Sequence, residues 1–138
     1  MFIKRFLFPV LALLIAAAPA SAKKVSPEAV AGAVTVDAAA AKALFDKGVP
    51  FVDVRKNSDW DAGRIPGAKH VELKKVFSEA ELLKAIGGKD KEVVLYCNGA
   101  SCMRSSKASS KATSWGFKKV YYFRLGFPSW QAAGYPAE

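Results

Sequence analysis

Only two of the 138 residues are cysteine and only one is histidine. No CxxC pair occurs. So few ligand-type side chains argue against a zinc site, and two thiols are too few for a disulfide framework. No tract interleaves basic and aromatic residues, so nucleic acid is not an expected partner. Beyond the first 22 residues no apolar run is long enough to cross a bilayer. There is no internal repeat, and no low-complexity segment besides the alanine-rich stretch near residue 40.

What is present begins with an export-type N-terminus. Lys4-Arg5 form a positive start, Phe6 to Ala18 an apolar run interrupted by Pro9, and Ala20-Ser21-Ala22 a small-residue cleavage pattern. Residues 1–22 are expected to be a signal peptide cut after Ala22, leaving a periplasmic or secreted protein with no membrane attachment. The alternative, an uncleaved anchor, fits the short apolar run less well. Cleavage removes Lys4 and Arg5 and lowers the formal charge from +9 to about +7. The basic residues are scattered, as on a solvated surface, although their field would attract anions. Slightly over half of the residues are apolar, enough for the core of a single domain over residues 33–138. Residues 23–32 read as a loosely attached leader.

Along that domain short apolar runs alternate with helical stretches. Strands are expected at residues 33–36, 49–54, 69–73, 92–97 and 119–123. Asp37 caps a helix that Gly48 stops, and Ser78 with Glu81 makes a capping box for a helix ended by Gly87-Gly88. A capped helical turn carrying Trp60 is expected between Asn57 and Gly63, and a short helix carrying Trp130 near the end. The alternation argues for βαβ units and an α/β fold, a parallel sheet covered by helices on both faces. Ligands in such folds sit at the carboxyl ends of strands.

Two strand ends carry the chemistry. After Val93-Val94-Leu95-Tyr96 comes Cys97, then Asn98, Gly99, Ala100, Ser101, Cys102 and Met103, and then a helix from Arg104 to Trp115. A loop of this kind can turn successive N–H groups inward, and the helix adds its own free N–H groups and positive dipole end. The concavity would hold an oxyanion, and a thiol beside it would ionise more readily to the nucleophilic thiolate. The second end is Asp53-Val54-Arg55.

Four blocks in order resemble the rhodanese-like family. They are Phe51-Val-Asp-Val-Arg55 with Asp59-Trp60, Gly63 and Ile65-Pro-Gly-Ala68; Val94 to Cys97; Arg104-Ser105, Ala108 and Trp115-Gly-Phe117; and Val120 to Phe123 with Gly126-Phe127, Trp130 and Ala133 to Pro136. The resemblance implies an open five-stranded parallel sheet. It also implies transfer of sulfane sulfur from a small anionic donor such as thiosulfate to a thiophilic acceptor, a thiol or a protein, through a persulfide on Cys97. On this resemblance no metal or organic cofactor is needed, and a monomer is expected. Arg104 comes two positions later than is usual for the family's arginine, Asn98 replaces a charge found in some relatives, and Leu125-Gly126 stands where a Gly-Gly pair is common. Phosphatase-like and arsenate-reducing relatives also have longer loops, so oxyanion chemistry is a further alternative.

Cys97 is the expected nucleophile, the alternative being an inert buried thiol. Cys102 can be a passive loop residue, a resolving or disulfide-forming partner of Cys97, or the nucleophile itself. A thiol/disulfide-responsive binding module using both cysteines therefore stands beside the enzyme reading. Loop residues Asn98 to Met103 are expected to contact substrate, with Arg104 binding the anion or pairing with a carboxylate. Asp53 and Arg55 are expected to support the loop from beneath. His70 reads as a surface or packing residue, the three tryptophans as core, and Phe127 as a residue bordering the pocket mouth.

Overall fold

The computed structural model describes residues 24–138. The expected signal peptide and its cleavage point lie outside the described residues. The elements in chain order are β1 (Ala33–Thr35), α1 (Ala38–Asp46), β2 (Phe51–Asp53), α2 (Asn57–Ala62), β3 (Lys69–His70), α3 (Glu79–Ile86), β4 (Glu92–Tyr96), α4 (Arg104–Ser114), β5 (Lys119–Phe123) and α5 (Gly126–Ala132). The five strands form one sheet in the order β1-β5-β4-β2-β3, and every pairing is parallel. Among the described residues no helix is long and apolar enough to cross a membrane.

The period-two alternation of β4 divides the core. Val93, Leu95 and Cys97 face a cluster with Leu82 and Ile86 of α3 and Ala108 and Ala112 of α4. Val94 and Tyr96 face the other cluster, with Ala41 and Leu44 of α1 and Phe127 and Trp130 of α5. Each face of a two-sided parallel sheet must be apolar, which is why β4 reads as an unbroken apolar run. The second face is aromatic: Phe45, Phe51 and Tyr135 surround Trp130 with ring centroids 5.0–5.8 Å away. Each such pair adds about 0.5–1.5 kcal/mol beyond area burial. On the first face α4 buries Ser105, Ala108, Ser109 and Ala112, small residues at helical spacing that let it lie close to the sheet.

Several local expectations need correction. Strand β3 ends at His70 rather than Leu73, although Val71 N–H still donates to Asp53 O and Leu73 N–H to Val54 O. Helix α2 has Lys56 as its N-cap and no side-chain cap. The Ser78 hydroxyl accepts from Glu81 N–H at 3.1 Å, but the return bond of the capping box is not made. Of the tryptophans only Trp130 is fully buried; Trp60 and Trp115 are half-buried, stacked on His70 and Phe77 respectively. The leader is tied down rather than loose. Ser26 is buried and its N–H donates to Ala100 O at 2.7 Å, while the Tyr122 hydroxyl donates to Pro27 O and Thr35 to Glu28 O.

Candidate active site

The sheet delivers the carboxyl ends of β2 and β4 side by side, with Asp53 paired to Tyr96 in register. The β2 end is an ion pair buried from water. Asp53 is 0% exposed and Arg55 is 3% exposed. The Arg55 guanidinium donates to both Asp53 oxygens, at 2.7–3.0 Å, and to Gly63 O at 2.6 Å. It also lies 4.8 Å from the Phe127 ring centroid. Burial works against the charged guanidinium, but the Asp53 carboxylate outweighs it and raises the Arg55 pKa. Tyr96 shares this pocket; burial first, and then the Asp53 charge, push its phenol up, and its oxygen accepts the Ile65 N–H.

Arg55 has one more donor, and it reaches the cysteine loop. Its Nη1 donates to Asn98 Oδ1 at 3.2 Å, and Asn98 Nδ2 donates onward to Asp59 Oδ2 at 2.8 Å. Asn98 thus joins the loop to the β2 end and to α2. His70 Nε2 hydrogen-bonds Arg55 O at 2.8 Å, so the histidine braces this backbone.

The β4 end is built differently. Cys97 O accepts the Phe127 N–H at 2.9 Å, which brings the start of α5 against the loop. Gly126 makes that approach possible. Its φ is +59°, and a Cβ there would overlap the Cys97 carbonyl. Gly99 turns the loop with φ +110°, and Gly99 O accepts the Cys102 N–H at 3.0 Å. This turn brings the two sulfurs together: Cys97 and Cys102 form a disulfide, with Cα atoms 6.4 Å apart. Closing so short a loop contributes about 2 kcal/mol by chain entropy. In this state Cys97 is 0% exposed.

The remaining loop amides are bare. The N–H groups of Asn98, Gly99, Ala100, Ser101 and Met103, and of Arg104, Ser105 and Ser106 in the first turn of α4, find no acceptor among the described residues. Helix α4 has neither a capping side chain nor an acid in its first turn. The positive end of its dipole is therefore not offset locally. The Ser105 hydroxyl, fully buried behind this turn, has no partner either. Ser101 is exposed.

Arg104 points its Nη1 to Val54 O at 3.2 Å and to Glu72 at 2.6 Å. Its other guanidinium nitrogens have no partner among the described residues. The Arg104 hydrogen bond, helped by the Lys74 and Lys75 amides, holds the Glu72 carboxyl at about 2 despite its burial. Arg104 and Glu72 line a cleft of about 400 Å³ with Lys56, Lys74 and Lys75, a cationic wall beside the loop. Cys97 does not line it. Among the described residues no group of three or more His, Cys, Asp or Glu is placed to hold a metal ion.

Sequence reasoning placed the loop and the β2 pair together, and the structure brings them within one hydrogen bond. It gave no role at the site to Ser26, Asp59, Glu72 or Arg124. Arg124 Nη2 donates to Ser26 O at 3.0 Å and so fixes the strap that meets Ala100. Gly126 was visible as part of the C-terminal block, beside the departure at Leu125, but its contact with Cys97 was not.

Known proteins share this arrangement. A family model described as Rhodanese-like domain matches residues 37–133. The thiosulfate sulfurtransferase GlpE of Pseudomonas fluorescens is 34% identical over 98 residues, 71% of this chain and 84% of that protein. The tRNA uridine(34) hydroxylase of Buchnera aphidicola is 34% identical over 87 residues; the match takes in 60% of this chain and only 27% of that longer protein. Among solved structures, the 30 kDa polysulfide-sulfur transferase homodimer of Wolinella succinogenes superposes with a TM-score of 0.63 at 26% identity, covering 78% of this chain and 80% of that one. With the parallel five-stranded sheet and the cysteine loop between β4 and α4, these matches show that the chain belongs to the rhodanese-like domain family.

Proposed function

We propose that the protein is an exported sulfurtransferase in which reduced Cys97 takes sulfane sulfur from a small anionic donor such as thiosulfate and passes it to a thiophilic acceptor. The observation that carries this reading is the set of amides from Asn98 to Ser106, Cys102 apart, that have no acceptor among the described residues. Such a set stabilises a thiolate, a departing sulfite and a persulfide anion in turn. The Cys97 thiolate attacks the outer sulfur of thiosulfate, the S–S bond of the donor breaks, and sulfite leaves with the electron pair. Asn98 and Gly99 to Met103 line the path of that sulfur. Arg104, with free guanidinium nitrogens facing a cationic cleft, draws the donor in. Asp53 and Arg55 hold the loop by way of Asn98. The resemblance to a thiosulfate sulfurtransferase and to a polysulfide-sulfur transferase supports the same chemistry. The N-terminal pattern of residues 1–22 supports a periplasmic or secreted location.

The Cys97–Cys102 bond favours a second reading, a module that reports thiol/disulfide state. Phosphate or arsenate chemistry is less well served. It wants a general acid near the cradle, and Glu72, beside Arg104, is held ionised. The deciding experiment is cyanide-dependent thiocyanate formation under reducing conditions. Wild type is expected to turn over and Cys97→Ser to lose all activity above background. Full activity in Cys97→Ser would assign the nucleophile elsewhere.

A further inference from the structure

Resting on the persulfide reading, we infer that Cys102 is a catalytic resolving thiol: it attacks the Cys97 persulfide, releases the sulfane sulfur as hydrogen sulfide and leaves the Cys97–Cys102 disulfide. The structure holds the product of that step. The Gly99 turn carries Cys102 to bonding distance of Cys97, with Cα atoms 6.4 Å apart, inside the range disulfides normally span. The Cys97 backbone is held from the other side, its carbonyl accepting the Phe127 N–H across Gly126. Cys102 is half-buried and packs against the core cluster that contains Cys97, so it is not a thiol swinging in solvent.

A purely structural role explains this bond poorly. It closes a very short loop, where entropic stabilisation is smallest, and it shuts the nucleophile away completely. A purely passive Cys102 does not explain why the loop turns to join the sulfurs.

The step balances. The Cys102 thiolate attacks Cys97 Sγ, forming the protein S–S bond as the bond to the outer sulfur breaks; that sulfur leaves with the electron pair and takes a proton as HS⁻. The two cysteines are oxidised by two electrons, and the sulfane sulfur is reduced to sulfide. Turnover then requires an external dithiol, of the thiol–disulfide oxidoreductase class, to reopen the disulfide. The catalytic cycle thereby becomes reductive. The product is sulfide, and the acceptor is a reducing protein rather than a sulfur carrier.

The test uses the mature protein, reduced, freed of reductant under anaerobic conditions and given one equivalent of thiosulfate. Sulfite, sulfide and intact protein mass are followed together. The readout is the ratio of sulfide to sulfite, which cancels any change in the rate of the first step. Wild type is expected to give a ratio near unity and a chain lighter by two hydrogens. Cys102→Ser is expected to give sulfite without sulfide, and a chain heavier by one sulfur. Wild type that releases sulfite yet keeps the added sulfur overturns this inference and leaves the sulfurtransferase reading standing. So does Cys102→Ser that yields as much sulfide per sulfite as wild type. If neither protein gives sulfite or an added sulfur, the persulfide reading falls, and this inference with it.

Discussion

At the carboxyl end of β2 the buried charges are matched, whereas at the carboxyl end of β4 a run of amides has no acceptor among the described residues. Arg55 donates four hydrogen bonds to Asp53 in a buried setting, one from its backbone N–H and three from its guanidinium, which also reaches Gly63 and Asn98. The cysteine loop, by contrast, is held at few points: by Ser26 at Ala100, by Phe127 at Cys97, by Arg55 at Asn98 and by its own disulfide. Satisfied polar networks are rigid, and bare amides are an anion site in waiting. In the proposed function one strand end gives support and the other carries the chemistry.

The largest expected effect comes from breaking the rigid end. Arg55→Ala leaves the Asp53 carboxylate buried without its partner and is expected to cost about 3–5 kcal/mol, read as a drop in the urea midpoint. Arg55→Lys should recover little of this, because an ammonium cannot reproduce the two-pronged fork. A loss under about 1 kcal/mol for Arg55→Ala would mean that water relaxes this end and that the contrast is false. Next in size is the contact that joins loop to helix. Gly126→Ala drives a methyl into the Cys97 carbonyl and strains a positive φ, for about 2–4 kcal/mol. Because Cys97 itself is displaced, thiocyanate formation should fall even at temperatures where the variant is folded.

The pH dependence probes the border between the two ends. The carboxyl of Glu72 is at about 2 in the folded chain, against 4.5 ordinarily, because Arg104 hydrogen-bonds it. A depressed acid contributes stability above its unfolded value and loses it as the carboxyl is protonated. Stability should therefore fall by about 2–3 kcal/mol as pH drops from about 4.5 to about 2. Glu72→Gln should flatten that limb in acid titrations followed by circular dichroism. An unchanged limb would show that Arg104 and Glu72 do not hold each other in solution.

How much of this could be read beforehand follows from how local each signal is. β4 was legible because β-branched residues and an unbroken apolar run are properties of consecutive positions, and Cys97 followed directly as the residue after the strand. Asp37 and Ser78 announced their helices in the same local way, and both side chains do cap. The Arg104–Glu72 pair was not legible: the partners lie 32 positions apart, and no spacing rule chooses among the carboxylates Arg104 could meet. The strap was hidden for another reason. It attaches through the backbone N–H and carbonyl of Ser26 and the carbonyls of Pro27 and Glu28, groups that side-chain identity does not single out. Trp60 misled because hydrophobicity argued for core, while its ring is used to stack on His70 and carry Arg64.

The smallest expected effect separates the two ends most finely, because one helix supplies both variants. Ser105 and Ser109 lie one turn apart on the buried face of α4, and neither hydroxyl has a partner among the described residues. Burying an unpaired hydroxyl is unfavourable, and alanine is a better helix former of nearly the same size. Each Ser→Ala change is therefore expected to raise stability, by about 1 kcal/mol or less. The sheet side of the helix gives Ser109 nothing else to do, so Ser109→Ala should leave sulfur transfer as it is. Ser105 sits in the first turn, among the bare amides, so its hydroxyl is the one proposed to meet the anion. Ser105→Ala should therefore gain the same stability while raising KM for thiosulfate severalfold with kcat little changed. If both variants gain stability and neither changes KM, the anion is held by backbone alone, and the unpaired hydroxyl at Ser105 is a packing residue like Ser109.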